Sequence, residues 1–318
     1  MKEYAFGIDL GGTTAKIGLF TTTGDLLEKW EVPTDTSDQG VRILPNLAAA
    51  VQDKMAQRSL RPDQIEGVGL GVPGPVQDSS VVAIVCANLG GWGDCDAGAQ
   101  LSQLLGGLRV QVGNDANVAA LGEIWMGAAK GCRSAVMVTL GTGVGGGVVA
   151  DGKLIEGAHG AGGEIGHITV NPQEPAQCGC GKHGCLEQYS SATGVVRCMN
   201  KLLEQNPDVP CTLRGRDFAA KDVFDAARSG DKLAQQEVED MTLTLALALG
   251  NIAAITDPEM FLVGGGVARA GDVLLEPLSR HYQANAFLSC RNTPIRLASL
   301  GNDAGIYGAV RLLSLIHI

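Results

Sequence analysis

Apolar residues recur along the first third of the chain with the alternation and turn signals of β-strands. Apolar, β-rich runs cover Tyr4 to Leu10, Ala15 to Phe20 and Leu26 to Val32, with Gly-Gly-Thr-Thr and Thr-Gly-Asp turns between them. This pattern predicts an antiparallel meander of three strands. Apolar residues then follow helical spacing from Val41 to Met55, and Ile65 to Gly71 is again strand-like. Helices and strands are therefore expected to alternate, as in an α/β layer.

The meander pattern begins again near the middle of the chain. A short strand at Val110 to Gly113 is predicted to enter a helix from about Asp115 to Ala129. Strand-like runs follow at Ala135 to Leu140 and Gly147 to Ala150, and an Asp-Gly turn leads into Lys153 to Ile155. Two similar strand-turn-strand units favour an internal duplication with a cleft between two lobes, and the alternative is coincidence between glycine-rich hairpins.

The last third of the chain predicts further core elements. A long apolar helix from Met241 to Ile255 ends before Asp-Pro, and a buried-type strand follows at Met260 to Val263. A final helix is expected from about Asp303 to Leu315, with Asn302 or Asp303 as its cap. The apolar tail from Ser314 to Ile318 is either native or an added segment, and the sequence leaves both open.

Composition excludes several classes of protein. The chain has 318 residues, of which 45% are hydrophobic and 18% charged, so it is expected to fold into one large or two ordinary domains rather than to remain disordered. No run approaches the roughly 18 uninterrupted apolar residues of a membrane helix, and no apolar signal region precedes the first strand, which favours a cytoplasmic protein. The net charge of −10 would repel phosphate backbones, so nucleic acid is not an expected partner.

Glycine is the most informative feature of the composition. The chain contains 45 glycines, and they lie at the ends of apolar runs rather than in a low-complexity linker. Glycine at such places lets backbone amides approach a ligand closely, which predicts binding of a small anionic molecule. Two stretches match the dinucleotide fingerprint, Gly141-x-Gly143-x-x-Gly146 and Gly69-x-Gly71-x-x-Gly74, but neither opens a predicted helix. The sequence also lacks a P-loop motif.

The turn after the first strand offers a cradle for phosphate. Backbone amides and the hydroxyls of Thr13 and Thr14 can hold a phosphate group, while Asp9 at the strand end can hold hydrated Mg²⁺. Lys16 adds a positive charge nearby. The alternative is a tight hairpin with a surface carboxylate, and the similar turn Leu140-Gly-Thr-Gly143 favours the phosphate interpretation.

The strongest single motif is His167-x10-Cys178-x-Cys180-x4-Cys185. Three thiols and an imidazole with glycines around them are typical of a structural zinc site, in which protein groups fill all four coordination positions. Such a Zn²⁺ orders a loop and performs no chemistry. A cluster of reactive thiols is the alternative, and the nearby His183 is a spare donor that is expected to face solvent.

Polar residues gather at two further places. Asn114 and Asp115 lie where a predicted strand meets a helix, a position that puts side chains on the floor of a cleft, although Asp115 is equally suited to cap the helix. Glu164 lies three residues before His167, and Glu187 lies two residues after the last cysteine of the motif. These carboxylates suit a polyhydroxylated substrate, or they orient the zinc ligands as hydrogen-bond partners.

Four segments together resemble the ROK family of repressors, unclassified frames and sugar kinases, and within it the bacterial ATP-dependent glucokinases. They are Asp9-Leu-Gly-Gly-Thr-Thr-Ala-Lys16, Val112-Gly-Asn-Asp-Ala-Asn117, Gly163-Glu-Ile-Gly-His167 and Cys178-Gly-Cys-Gly-Lys-His-Gly-Cys-Leu-Glu187. The resemblance implies the actin-like sugar-kinase fold, a duplicated α/β architecture. It also implies a small domain of residues 1–114 plus 301–318, a large domain of residues 115–300 that carries the zinc loop, and a cleft between them.

The resemblance implies roles for single residues as well. Asp115 is expected to be the catalytic base. The residues expected to hold sugar hydroxyls are Gly74, Asn88, Asn114, Asp115, Glu164, His167 and Glu187, and His167 is expected to use its other ring nitrogen for zinc. The residues expected at ATP are Asp9, Gly11, Gly12, Thr13 and Lys16 in the first turn, Thr142 and Gly143 in the second, and Gly264, Gly265 and Gly266 near adenosine.

The activity implied is transfer of the γ-phosphate of ATP to the 6-hydroxyl of a hexose, with glucose as the first expectation and with Mg²⁺ and structural Zn²⁺ as metal ions. N-acetylglucosamine, N-acetylmannosamine, mannose and fructose are alternative acceptors, and polyphosphate is an alternative donor. A sugar-responsive repressor is an alternative of another class, but the first strand begins close to Met1 and is expected to leave no room for a DNA-binding segment. The usual assembly of the family implies a homodimer or homotetramer.

Overall fold

The computed structural model describes residues 2–314, the side chains at positions 83–85 and 87 excepted, so residues 315–318 of the apolar tail lie outside the described range. The strands are β1 Tyr4–Leu10, β2 Thr14–Thr21, β3 Leu26–Pro33, β4 Ile65–Val72, β5 Val76–Gln77, β6 Val81–Cys86, β7 Trp92–Asp96, β8 Val110–Asn114, β9 Ala135–Leu140, β10 Val144–Ala150, β11 Lys153–Leu154, β12 Met260–Gly264 and β13 Ile295–Leu297. The helices are α1 Ile43–Gln57, α2 Ala97–Leu104, α3 Asp115–Met126, α4 Glu187–Ser190, α5 Ala192–Gln205, α6 Ala220–Arg228, α7 Lys232–Thr256, α8 Asp272–Asn285 and α9 Ala304–Leu312.

Two five-stranded sheets share one strand order. The first runs β3-β2-β1-β4-β8 and the second runs β11-β10-β9-β12-β13. In each sheet three consecutive strands lie side by side, and two later strands continue the sheet next to the first of the three. In the first sheet β2 pairs antiparallel with β1 and β3, while β4 lies parallel to β1 and β8. In the second sheet β12 lies parallel to β9 and β13. The repeated order confirms the predicted pair of similar units.

A small third sheet lies between β4 and β8 in the sequence, and the apolar pattern does not predict it. Its order is β5-β6-β7, and β6 pairs antiparallel with both neighbours. β5 has only two residues, β6 is a continuous apolar run without alternation, and β7 contains just one large apolar residue, Trp92. This sheet matters because it positions Cys86 and the Asn88 turn that follows it.

The chain divides into two compact units. Unit 1 comprises Met1–Gly131, Gly147–Gly163 and Ser299–Ile318, and unit 2 comprises Cys132–Gly146 and Glu164–Ala298. Helix α3 therefore groups with the N-terminal sheet, whereas the domain boundary expected from the sequence assigns it to the large domain. The two units are defined by contacts within the chain, whereas the expected boundary separates domains, so that boundary stays a prediction.

Helix α9 lies at the centre of unit 1, against β1, β4 and α3. Its backbone comes so close to these elements that glycine is required where they cross. A methyl group on Gly69 of β4 would overlap the carbonyl oxygen of Ala309, and one on Gly308 would overlap the carbonyl oxygen of Val118. Ile306 is completely buried as a result. Since no space is left between the backbones, the helix is fixed in one position against the sheet.

A buried carboxylate joins α3 to the segment that leads into α9. Glu123 is fully buried, and its carboxylate accepts hydrogen bonds from the backbone amides of Ala128 (2.8 Å), Ser299 (3.1 Å) and Leu300 (2.7 Å). Burying a carboxylate without partners is very unfavourable, and these three amides compensate for the lost water. Glu123 therefore connects two segments that are far apart in the sequence.

The predicted side-chain cap of α9 is wrong. The helix begins at Ala304 after the 3-10 turn Gly301–Asp303, and Asp303, its N-cap residue, makes no side-chain hydrogen bond to it. A capping side chain needs extended backbone at its own residue, whereas Asp303 has helical dihedral angles. Its carboxylate accepts a hydrogen bond from Lys29 Nζ at 2.6 Å instead.

Helix α7 is the central helix of unit 2. Its buried side chains, among them Met241, Leu245 and Leu249, lie in the core, and the helix packs against α5, α6 and α8. By length and composition alone α7 could cross a membrane, but half of its most apolar 18-residue window is buried, and core helices commonly meet those two criteria. The helix begins well before Met241 because its first part, from Lys232, is amphipathic rather than uniformly apolar.

We expect Gly308→Ala to lower the free energy of unfolding by about 3 kcal/mol, because the added methyl group must push α9 away from α3. Gly250→Ala is the matched control. Gly250 lies inside α7, where a methyl group meets only ordinary contacts near Ala286, and replacing a helical glycine should raise stability by up to about 1 kcal/mol. Urea denaturation measures both changes. Unfolding of Gly308→Ala at the wild-type midpoint would contradict the close-packing constraint on α9.

Candidate active site

The turn between β1 and β2 is the candidate phosphate cradle of unit 1. The amide of Gly11 donates to the carbonyl of Thr14 (3.1 Å), and Thr34 anchors the turn by donating its hydroxyl to the carbonyl of Gly11 (2.7 Å). A methyl group on Gly12 would lie 2.8 Å from the carbonyl oxygen of Asn88. The candidate phosphate turn therefore touches the segment that carries a candidate sugar residue.

Asp9 and Lys16 are cross-strand partners on β1 and β2. The half-buried carboxylate of Asp9 packs against Gly305 near the start of α9. Burial raises the pKa of Asp9, and the positive charge of Lys16 opposes that shift. The Lys16 ammonium donates to the carbonyl of Asn302 at 3.0 Å. A carboxylate whose charge is only partly compensated is a suitable ligand for a divalent cation.

The first turn of α3 positions Asn114 and Asp115. The side-chain oxygen of Asn114 accepts from the amides of Ala116 (3.1 Å) and Asn117 (3.2 Å), and its side-chain nitrogen donates to the carbonyl of Gly74 (3.1 Å). Asn114 is therefore the cap, and the alternative that Asp115 caps the helix is wrong because Asp115 is the first helical residue. The Asp115 side chain is exposed, and its Oδ1 accepts from the amide of Ala116 at 2.8 Å.

The turn at Gly74 is held from a second side. Gly74 has a φ angle of 87°, a conformation that favours glycine. The buried thiol of Cys86 in β6 donates to the carbonyl of Pro73 at 3.2 Å. Burial raises the pKa of Cys86, and the charge of Asp115 adds to the shift, so Asp115 lies close to this thiol. The structure thus brings Gly74, Asn114 and Asp115 together.

Asn117 has no role in the sequence-based assignment, yet it lies two residues beyond Asp115 and is buried. Its side-chain amide donates to the carbonyl of Gly162 at 3.4 Å, and its side-chain oxygen has no hydrogen-bond partner among residues 2–314. Asn117 therefore links α3 to the glycine-rich segment 157–163. The second asparagine of the Asn-Asp-x-Asn motif is the sequence signal that points to it.

The second glycine turn, between β9 and β10, belongs to unit 2. The hydroxyl of Thr193, at the start of α5, donates to the carbonyl of Thr142 at 2.7 Å. A methyl group on Gly265 would meet the backbone of Leu140, so the 264–266 turn lies beside the end of β9. The structure thus brings the ATP candidates of unit 2 together: Thr142, Gly143, Gly264, Gly265 and Gly266.

Glu187, the first residue of α4, connects this turn to the cysteine loop. Its Oε2 accepts from the amide of Val144 at 3.1 Å and lies so close to Gly143 that a side chain at that position would overlap it. Its Oε1 lies 3.6 Å from the sulfur of Cys178. One carboxylate therefore contacts both the candidate phosphate turn and a candidate metal ligand.

The cysteine loop brings its four predicted ligands together. The ligand atoms of His167, Cys178, Cys180 and Cys185 all lie within 4.8 Å of one another. His167 Nδ1 is 3.8 Å from the sulfur of Cys178, whereas its Nε2 is 3.9 Å from the carboxylate of Glu164. Three sulfurs and one imidazole in so small a volume form a soft donor set that fits a tetrahedral metal ion.

The protonation of these thiols bears on the reactive-cluster alternative. Burial raises the pKa of Cys178 and Cys185. Since the thiolate is the nucleophile, two of the three sulfurs are poorly suited to covalent chemistry without a cation, whereas a bound cation would stabilise all three thiolates. His183 lies apart from the donor set, with Nδ1 3.1 Å from the carbonyl oxygen of Glu174.

A second group of side chains, which no sequence motif marks, lies beside α4. Glu174 is buried, and its carboxylate accepts from the hydroxyl of Tyr189 (2.6 Å), from Arg197 Nη1 (3.0 Å) and from the amide of Ala176 (3.1 Å). Burial would raise the pKa of Glu174, but these hydrogen bonds and the charge of Arg197 lower it to about 2. We call Glu174, Tyr189 and Arg197 the Glu174 cluster. Tyr189 and Arg197 follow Glu174 by 15 and 23 residues, so local sequence patterns do not reveal the cluster.

Comparison with known proteins identifies the family. The sequence profile of the ROK family matches residues 5–315. The chain belongs to the ROK family. It is 40% identical over 306 residues to the glucokinase of Halalkalibacterium halodurans, covering 95% of this chain and 92% of that protein. It is 36% identical over 319 residues to the glucokinase of Thermotoga maritima, covering 98% of each.

A solved ROK structure gives the same result for the fold. The crystal structure of a ROK family glucokinase from Streptomyces griseus, in complex with glucose and AMPPNP, matches with a TM-score of 0.76 at 32% identity and covers 97% of this chain and 98% of that one. This similarity and the repeated strand order confirm the predicted actin-like sugar-kinase fold. The roles assigned to single residues stay predictions.

The Glu174 carboxylate should stabilise this ROK protein above about pH 5 and cease to do so in acid. Its pKa is about 2 in the folded protein against 4.5 ordinarily, so its contribution is complete above the ordinary value and is lost as the pH falls toward 2. Over that interval the free energy of unfolding of the wild type should fall by about 3 kcal/mol more than that of Glu174→Gln. Urea denaturation at a series of pH values measures the difference.

Asp225→Asn is the control for this prediction. Asp225 also pairs with two cations, Lys221 and Arg228, but it lies on the surface, where water screens the pairs. Its pH dependence should therefore stay close to that of the wild type. Parallel curves for wild type and Glu174→Gln would contradict the assignment of a strongly stabilised carboxylate.

Proposed function

We propose that this ROK protein transfers the γ-phosphate of ATP to the 6-hydroxyl of a hexose and that glucose is its preferred acceptor. The observation that carries the proposal is the similarity, over nearly the whole chain, to proteins named glucokinase and to one crystallised with glucose and AMPPNP. The exposed carboxylate of Asp115, at the start of a helix capped by Asn114, supports it from the chemistry of the site.

Asp115 is the proposed catalytic base. As the sugar 6-oxygen attacks the γ-phosphorus, a phosphorus–oxygen bond forms, the bond to the bridging oxygen of the β-phosphate breaks, and ADP leaves. Asp115 accepts the hydroxyl proton during this step. Phosphoryl transfer requires mainly that the protein position the reactants and stabilise charge. One carboxylate on a fixed helix is sufficient to accept the proton.

The residues proposed to hold the sugar are Gly74, Asn88, Asn114, Asp115, Glu164, His167 and Glu187. Carboxylates, amides and an imidazole are the groups that match the donors and acceptors of sugar hydroxyls. His167 serves twice in this proposal, because Nδ1 lies on the side of the cysteines and Nε2 on the side of Glu164.

The glycine turns are proposed to bind ATP. Gly11, Gly12 and Thr13 hold phosphate with Lys16 nearby, Thr142 and Gly143 form the second phosphate turn, and Gly264, Gly265 and Gly266 contact adenosine. Successive backbone amides in such turns bind anions without a side chain. Mg²⁺ bound with ATP neutralises phosphate charge, and Asp9 is its proposed ligand, with which the half-buried, incompletely compensated carboxylate agrees.

The Cys/His set is proposed to hold a structural Zn²⁺ through His167, Cys178, Cys180 and Cys185. With four protein ligands the ion has no open position, so it orders the loop that precedes Glu187 rather than taking part in phosphoryl transfer. A homodimer or homotetramer and a cytoplasmic location are further proposals, which membership of the ROK family supports.

ADP release from Mg·ATP in the presence of glucose, mannose, fructose, N-acetylglucosamine or N-acetylmannosamine, with a blank that lacks sugar, tests the proposed function. We expect glucose to give the highest kcat/KM. A preference for an N-acetylated sugar would contradict the acceptor and leave the phosphotransfer intact. Sugar binding without ADP release would favour a regulatory protein, and activity with polyphosphate alone would contradict ATP as the donor.

Asp115→Asn should reduce kcat by roughly 100-fold or more, because the amide cannot accept the proton, while the KM for glucose stays within about threefold. The matched control is Asp272→Asn. Asp272 is likewise the first residue of a helix, α8, and is exposed, but it has no proposed role. Steady-state kinetics compares the two variants. Near-normal turnover of Asp115→Asn would remove Asp115 from the mechanism.

Protein purified without chelator should contain about one zinc per chain, because four protein ligands form one complete coordination shell. Cys178→Ser should lose most of this zinc, whereas Cys132→Ser, which changes a thiol outside the donor set, should retain it. Elemental analysis gives the metal-to-protein ratio. Wild-type protein without zinc would show that the set does not serve as a structural zinc site.

A further inference from the structure

The Glu174 cluster lies next to Glu187 but shares no side chain with the four metal ligands or with the proposed sugar and ATP residues. We propose that this cluster is a positioning device that holds the backbone of α4, so that Arg197 acts through Gln188 to set the place of the Glu187 carboxylate. The inference rests on the proposed role of Glu187 in sugar binding. It assigns a function to residues that the reaction itself does not use.

Helix α4 cannot hold its own position. It consists of four residues, Glu187–Ser190, which is a single turn, and so short a helix has almost no intrinsic stability. Contacts outside the helix must therefore fix it. Cys185 precedes Glu187 by two residues and belongs to the candidate metal set, and Tyr189 follows Glu187 by two residues and belongs to the Glu174 cluster. Glu187 lies between these two anchors.

Arg197 is the link between the cluster and α4. Its Nε and Nη2 donate to the carbonyl of Gln188, at 3.2 Å and 2.8 Å, while its Nη1 donates to Glu174 at 3.0 Å. Its guanidinium carbon lies 5.2 Å from the centre of the Tyr189 ring. One planar side chain therefore contacts the residue directly after Glu187, the ring of the next residue and a buried carboxylate. Arginine can make such forked contacts and lysine cannot.

Gln188 transfers this constraint to the cysteine loop. Its side-chain oxygen accepts from the amide of Cys185 at 3.0 Å, and its side-chain nitrogen donates to the carbonyl of Ala176 at 2.9 Å. The main chain at residue 188 is thus fixed by Arg197, and its side chain is fixed by the loop. A shift of this backbone would move Glu187, whose carboxylate must stay near the amide of Val144.

Arg197→Lys tests the proposal directly. Lysine keeps a positive charge opposite Glu174, but it cannot also donate two hydrogen bonds to the carbonyl of Gln188. Lys201 already places an ammonium 3.6 Å from Glu174. We expect the KM for glucose to rise about tenfold, while the KM for ATP stays within about twofold and the zinc content is unchanged. A merely structural role would lower the melting temperature without this selective change in KM.

Arg214→Lys is the matched control. Arg214 also lies in unit 2 and donates to three backbone carbonyls, those of Leu203 (3.0 Å), Asn206 (2.7 Å) and Val209 (3.0 Å), but it contacts no proposed site residue. Its replacement should lower stability and leave the KM for glucose unchanged. If Arg197→Lys does not fold, Tyr189→Phe takes its place, because it removes only the hydroxyl that donates to Glu174 and should raise the same KM by a smaller factor.

Glu187→Gln and the double variant Arg197→Lys/Glu187→Gln separate this inference from the proposed function. If Arg197 acts through Glu187, the double variant should have nearly the glucose KM of Glu187→Gln alone. A raised KM in Glu187→Gln with a normal KM in Arg197→Lys would overturn the inference and leave the proposed function standing. A normal KM in Glu187→Gln would instead overturn the sugar role of Glu187. Equal increases in KM for glucose and ATP in Arg197→Lys would indicate general loosening and would also overturn the inference.

Discussion

The close approach of α9 to the backbones around it is the constraint on which unit 1 depends. Where the helix crosses β4 and α3, carbonyl oxygens occupy the places that side chains of Gly69 and Gly308 would need. The helix can neither slide nor rotate without overlap, so its first residues are fixed as firmly as its buried ones. Gly305, in its first turn, packs against the carboxylate of Asp9. Core packing therefore sets the position of a group at the candidate phosphate turn.

Buried carboxylates are handled in three different ways in this fold. The carboxylate of Glu123 accepts hydrogen bonds from backbone amides of two distant segments. Glu174 is compensated by a guanidinium and a hydroxyl, which hold its pKa at about 2. Glu237, buried on α7, lacks comparable compensation, and burial with the charge of Asp240 raises its pKa to about 9, so it is neutral near pH 7. The first two arrangements join separate segments of the chain, and the second holds Tyr189, two residues after the candidate site residue Glu187.

Local sequence pattern predicts the parts of the fold whose signals are local. Alternation and glycine turns place β1, β2, β3 and β4 within a residue or two, and the repeated turn at Gly141 reveals the second sheet. The pattern fails for β5, β6 and β7, which lack the alternation of a half-buried strand. It also fails for the cap of α9, because a preceding 3-10 turn changes the backbone at Asp303.

The same distinction applies to the candidate site. Motifs with fixed spacing lead to the cysteine set, whose ligand atoms the fold gathers, and to Asn114 and Asp115. They do not lead to Glu174 and Arg197, because these two residues are 23 positions apart and meet only in the folded chain.

The two units of the fold are completed at different points along the chain. All of unit 2 precedes residue 299, whereas the sheet of unit 1, begun at Tyr4, receives its central helix only from residues 304–312. During synthesis unit 2 can therefore close before residues 304–312 are made, while the faces of β1 and β4 that α9 covers are still exposed.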